Sequence, residues 1–179
     1  MSTNKFYEMR IHKDEFNPLR FNNLFSIQTV EDLDRKTTIN LEHLVLSQDE
    51  MLPDWNERPS FKDVEDRLNS ISKCYLFYHK NFDEAIGWGW FSDVFTYDWV
   101  THVHELPTEN SVYYGGTYIR KELNLPLGTG IQMYNFAYRM FFETYDYIYG
   151  YMDGWNKSPI KICHKLGTKQ IDFIKNYDR

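Results

Sequence analysis

Two periodicities alternate along this chain, and the switches between them outline its elements. Residues 5 to 12, Lys-Phe-Tyr-Glu-Met-Arg-Ile-His, partly alternate in polarity and predict a strand. Asp14 to Pro18 punctuates like a turn and Leu19 to Ile27 reads as a second extended segment, so the two are expected to form a hairpin. Leu33, Leu41, Leu44 and Val45 predict one or two helices up to Met51, entered through a weak cap at Thr29 and Asp32. Leu52 to Pro59 is a loop, and Ser60 caps a helix over 61–72 in which Phe61, Val64, Leu68 and Ile71 recur at helical spacing. Cys74 to His79 and Ala85 to Phe91 are aromatic-rich and joined by Asn81-Phe82-Asp83-Glu84, which predicts a β-hairpin.

In the second half, Ser92 to Asn110 is the least regular stretch, with an extended piece from Trp99 to His104. Ser111 to Arg120 predicts a strand carrying Gly115-Gly116. A loop tightened by Pro126, Gly128 and Gly130 follows. Positions 131, 134, 138, 141 and 145 are then all apolar or aromatic, as in an amphipathic helix. Tyr147 to Met152 predicts a buried strand. Ser158 and Pro159 mark the start of a helix over 159–166, Gly167 stands at its C′ position, and Lys169 to Ile174 closes as a strand. No repeat or linker divides the chain, so a single domain over 1–179 is expected.

Composition narrows the function. The balance of 42% hydrophobic and 26% charged residues is that of an ordinary soluble globular chain. Aromatics at 18% exceed what a small core needs, and some are expected to line a ligand groove or the interface of a homo-oligomer. A net charge of −6 argues against nucleic acid as a partner. No long apolar run and no signal-peptide pattern appears, and two cysteines make neither a disulfide framework nor a metal site, so a cytoplasmic protein with free thiols and no membrane or metal is the simplest expectation.

The stretch from Tyr118 to Ile131 reads as strand, glycine loop, helix. A helix opening at a glycine turn offers unpaired amides and the positive end of its dipole, which together favour a phosphate. Here the residues resemble the GCN5-related N-acetyltransferase (GNAT) superfamily, whose main motif is Gln/Arg-x-x-Gly-x-Gly/Ala before a helix. Leu125-Pro126-Leu127-Gly128-Thr129-Gly130 matches both glycines, with Leu at the first position. The family's later segment runs Asn, seven residues to Tyr, then Lys, any residue and Gly-Phe. Asn156, Cys163, Lys165, Gly167 and Thr168 stand at those spacings, with Cys163 for Tyr and Thr168 for Phe. The resemblance covers about residues 74 to 175.

It implies a mixed α/β (α+β) fold, with a mostly antiparallel central sheet flanked by helices and one strand pair splayed to admit acyl-CoA. Acetyl-CoA or another acyl-CoA would set its pyrophosphate on the amides of Leu127, Gly128, Thr129, Gly130 and Ile131. Its arm would pair with the main chain of Thr117, Tyr118 and Ile119, an amide near Tyr118 would polarise the thioester carbonyl, and Asn156 would hydrogen-bond the arm. The family's Tyr protonates the leaving thiolate; Cys163 stands in its place, and either takes that role or packs as a small hydrophobe while Tyr151 or water supplies the proton.

His102, His104, Glu105 and Asp153 are candidates for the base that deprotonates an acceptor amine, with ordered water as the alternative. His102 and His104 share a strand face but lack a third metal ligand. The acceptor is expected to be a small-molecule amine, with a nucleotide-linked amino sugar preferred and polyamines, amino acids, lysines and protein N-termini left open. A non-catalytic acyl-CoA-binding or protein-interaction domain is the reading of a different class.

Overall fold

The strands of this protein are short and aromatic, and most of their partners lie far away in sequence. The computed structural model describes residues 3–30, 73–93, 95–98, 102–105, 110–120, 123–154 and 157–178. They form nine strands: β1 (Thr3–His12), β2 (Phe25–Val30), β3 (Lys73–His79), β4 (Gly87–Ser92), β5 (Phe95–Asp98), β6 (His102–Glu105), β7 (Ser111–Ile119), β8 (Tyr147–Asp153) and β9 (Gln170–Asp178). Two α-helices are described, α1 (Thr129–Phe142) and α2 (Lys157–Lys165), with a 3-10 turn at Lys13–Glu15. The helices expected between residues 29 and 72 lie outside the described residues, apart from Thr29 and Val30, which close β2.

The chain divides into two units interleaved in sequence. The first comprises Met1–Phe21, Ser92–Gly115 and Gly130–Arg179; the second comprises Asn22–Phe91 and Gly116–Thr129. β7 runs from the first into the second.

In the first unit the strands follow the order β7-β8-β1-β9. β1 is antiparallel to β8, from Phe6↔Asp153 to His12↔Tyr147, and antiparallel to β9, with a bulge between Phe6 and Tyr7. β7 and β8 are parallel over Ser111↔Tyr147 to Tyr113↔Tyr149, and the ladder ends there. The crossover helix that a parallel pair requires is α1. Met9, Ile11, Val112, Tyr114 and Ile148 are buried. Tyr114 meets Tyr134, Tyr138 and Phe141 of α1 edge-on, at centroid distances of 5.3, 5.9 and 5.4 Å. Such edge-to-face pairs add to the area that each ring buries.

Side chains of α1 also hold the segment leaving β1. Asn135 Oδ1 accepts the Leu19 amide at 3.0 Å and Arg139 Nη2 donates to the Leu19 carbonyl at 2.8 Å. One turn of helix thereby satisfies both backbone groups of a residue outside any strand.

α2 ends as its sequence demands. The Thr168 amide reaches the Cys163 carbonyl and the Gly167 amide reaches that of His164, a Schellman motif with Gly167 at φ 108°. The helix begins at Lys157, two residues before the expected Pro159. Pro159 still falls among the first four positions, where a missing N–H leaves no bond unmade.

In the second unit the order is β2-β3-β4, with β7 continuing beside β4. The expected hairpin of β3 and β4 forms, from Lys73↔Phe91 to Phe77↔Gly87. The expected hairpin of the first two extended segments does not: β2 is Phe25–Val30 rather than 19–27, and it pairs with β3 from Phe25↔His79 to Val30↔Cys74. Phe25 stacks on Phe77 at 5.3 Å, an aromatic cross-strand contact between the two strands.

β5 and β6 form a separate two-stranded antiparallel pair within the stretch that sequence left irregular. Each is four residues long, at the lower limit of what periodicity can reveal.

Candidate functional site

The glycine loop forms a defined turn. The Thr129 amide donates to the Pro126 carbonyl at 3.1 Å, and Gly128, third in the turn, has φ 89°. That is where a type II turn requires a positive φ. The Thr129 hydroxyl donates to the same carbonyl at 2.7 Å. Thr129 is 5% exposed and opens α1, whereas Leu127 and Gly128 stand at the exposed tip.

One detail of the expected cradle changes. The Thr129 amide is occupied inside the turn, so the first-turn donors left to the helix start are those of Gly130 and Ile131, for which helix geometry offers no intrahelical partner. No acidic residue lies in the first turn of α1, so nothing there opposes an anion. The doubled bond to Pro126 was not read from the sequence. Its signal was present: Pro126, Gly128 at the third turn position, and a hydroxyl residue beginning the helix.

β7 leads directly into this loop. Tyr118 is 7% exposed and its ring lies 6.5 Å from that of Trp88, while Thr117 and Ile119 are half-buried. The Arg120 amide donates to the Ile86 carbonyl at 3.0 Å, and the Arg120 guanidinium pairs with Glu84 at 2.6 Å. The strand end that precedes the loop is thus fixed by both backbone and side chain.

Cys163 is 1% exposed on α2, with its sulfur 3.4 Å from the Tyr138 hydroxyl, which also points to the Met9 sulfur at 3.9 Å. Burial pushes its thiol up to about 11 from an ordinary 9.0, opposed in part by the Tyr138 hydrogen bond. Such a thiol keeps its proton and is shielded from solvent, which is the packed arrangement that the sequence left open beside the catalytic one.

The other expected residues are placed only in part. Asp153 ends β8 opposite Phe6, and His104 and Glu105 lie on β6 opposite Thr96 and Phe95, but their side chains are outside the described residues. Asn156 lies outside them altogether. His102 stands opposite Asp98 in the same pair. Among the described residues, no helix is long and apolar enough to cross a membrane.

No family model matches the sequence, and no curated protein matches it. Solved structures do match, and many are GCN5-related N-acetyltransferases: the chain has the fold of that superfamily, a mixed α/β arrangement with a mostly antiparallel sheet and helices. It is similar to a GCN5-related N-acetyltransferase from Sphaerobacter thermophilus, with a TM-score of 0.62 and 11% identity over 97% of this chain and 50% of that one. It is similar to a tandem GNAT protein from the clavulanic acid biosynthesis pathway, at 0.57 and 14% over 99% and 56%. An aminoglycoside acetyltransferase from an uncultured soil metagenomic sample, solved in complex with trehalose, matches at 0.59 and 11% over 88% and 97%. The chain thus spans about half the length of the first two and nearly all of the third.

Proposed function

We propose that this protein is an acyl-CoA-dependent N-acyltransferase that moves an acetyl or other short acyl group to a primary amine of a small molecule. The observation that carries the reading is the turn at Pro126–Thr129, which delivers a helix start with free first-turn amides straight after β7. The pyrophosphate of acyl-CoA sits on the Leu127–Ile131 turn, with the Gly130 and Ile131 amides as its main donors. The pantetheine arm runs along Thr117, Tyr118 and Ile119 like an added strand, which the end of the β7–β8 ladder at Tyr113 favours. An amide near Tyr118 polarises the thioester carbonyl, and Asn156 holds the arm.

The amine nitrogen attacks the thioester carbon, the C–S bond breaks, and the amine's proton leaves through one of Asp153, His104 and Glu105 or through water. The burial of Cys163 favours Tyr151 or water, rather than the thiol, as the proton source for the leaving thiolate. The acyl donor is acetyl-CoA or another acyl-CoA, and a nucleotide-linked amino sugar is the preferred acceptor; the aminoglycoside acetyltransferase among the structural neighbours supports the amino-sugar class.

Incubation with acetyl-CoA and a panel of amino sugars, polyamines and amino acids, with free thiol as the readout, tests the proposal. Thiol release that depends on one acceptor class supports it. Absence of both CoA binding by calorimetry and thiol release across the panel overturns it. The buried Cys163 also favours a second reading, a non-catalytic acyl-CoA-binding domain, marked by CoA binding without turnover of any acceptor.

A further inference from the structure

Acyl transfer as proposed leaves one face of α2 without a role. Lys157, Lys161, His164 and Lys165 are all exposed. At 3.6 residues per turn they fall within an arc of about 100°. The opposite side carries the buried Cys163, with Leu166 buried just beyond the last turn. No Asp or Glu occurs between Asp153 and Asp172, although the whole chain has a net charge of −6. Among the described residues, no ion pair involves Lys157, Lys161 or Lys165; Lys169 pairs with Glu15 at 3.6 Å.

This charge works against the helix that bears it. Lys157 stands at the positive end of the dipole, and Lys157–Lys161 and Lys161–Lys165 are like-charged neighbours one turn apart. An acidic surface laid on this face would relieve both penalties.

We propose that the basic face of α2 docks an acidic helix of a carrier protein that presents the acyl group on a phosphopantetheine arm. The proposal rests on the acyl-transfer reading and names a donor for it. A carrier and coenzyme A offer the same thioester on the same arm, and differ in whether a protein surface or a nucleotide carries the recognition. Lysines one turn apart along a nine-residue helix match carboxylates one turn apart on a partner helix. Chemistry is unchanged: the amine forms the new C–N bond, the C–S bond breaks, and the carrier's thiolate takes up the amine's proton.

The test uses a purified acidic acyl carrier protein, in holo and acetylated forms, with the full chain. The expected result is salt-sensitive binding that the double variant Lys161→Glu/Lys165→Glu weakens by about tenfold or more, on the scale of lost charge pairs at an interface. Lys80→Glu, an exposed lysine in the β3–β4 turn, should leave binding unchanged, and the milder Lys161→Gln guards against misfolding.

Three results overturn the docking proposal: no binding by the wild type, equal losses at Lys80 and on α2, or an equal loss of acetyl-CoA turnover in the double variant. The last would assign the lysines to nucleotide phosphates. A wild type that turns over acetyl-CoA but ignores the carrier defeats the docking proposal alone. A wild type that binds the carrier but transfers from neither donor defeats the acyl-transfer reading alone.

Discussion

A Cβ atom placed on Gly150 of β8 would stand 2.8 Å from the carbonyl oxygen of Tyr114 on β7. The two residues follow the last pair of the parallel ladder, Tyr113↔Tyr149, so the strands remain close for one residue beyond it. The Met9 side chain would lie 3.2 Å from the same point. Gly150→Ala should force β7 and β8 apart and destabilise the fold by about 1–3 kcal/mol, the usual range for overpacking. Chemical denaturation of the variant checks this, and an unchanged midpoint would refute the close approach.

Gly167→Ala meets two obstacles together. Its φ of 108° is costly for an L side chain, and its Cβ would fall 1.9 Å from the Glu15 carbonyl oxygen. The same corner is tied by the Asn17 amide to the Leu166 carbonyl at 2.8 Å. We expect a loss of about 2–4 kcal/mol, combining the left-handed penalty with the clash. Urea unfolding compared with a substitution at exposed Lys161 provides the measurement.

Alkaline stability should depend on Cys163. Its thiol is raised from 9.0 to about 11 by burial, so the unfolded chain releases this proton before the folded one does. Below pH 9 the contribution is fully present. Between about 9 and 11 stability falls as pH rises, by up to about 3 kcal/mol in the limit of high pH. Tyr145, raised from 10.0 to about 12 mainly by burial and by its hydrogen bond to Asp93, adds a smaller effect in the same direction. Denaturant midpoints across that window should fall more gently in Cys163→Ala than in the wild type.

The acid limb involves Asp146, whose carboxyl is held below its ordinary 3.8, first by the hydrogen bond from Lys13. A lowered folded value means that the contribution exists above the unfolded value and disappears as pH falls through the folded one. Lys13 is raised in return, chiefly by that hydrogen bond, and its contribution disappears only as pH rises past 10.5. Both groups are open to solvent, so the effect should be small and should shrink with salt. Asp146→Asn should flatten the acid limb at low ionic strength and change little at high.

What sequence revealed depended on the range of the interaction. The β3–β4 hairpin, the apolar stripe of α1 and the glycine end of α2 are set by residues within a few positions of one another, and each was legible. The partner of β2 was not, because Phe25 finds Phe77 and His79 across some fifty intervening residues. The grip of Asn135 and Arg139 on Leu19 left no trace in either periodicity, since a polar residue on a helix reads as solvent-facing until its partner is known. At the candidate site, the glycine turn was readable but its internal bond to Pro126 was not. Motif spacing tells where amides gather, and only geometry tells which of them are already engaged.

The position of β1 between β8 and β9 has a consequence for synthesis. A ribosome delivers the first of these strands long before the other two, because β2 to β7 and α1 stand between β1 and β8 in the chain. Until then β1, with Met9 and Ile11 on its apolar face, has neither neighbour, and its amides and carbonyls wait in the nascent chain. The first unit therefore closes last, after the Phe25–Phe91 strands have had time to pair. Such long-range closure is slow, and during that wait the unpaired edge of β1 is open to other chains.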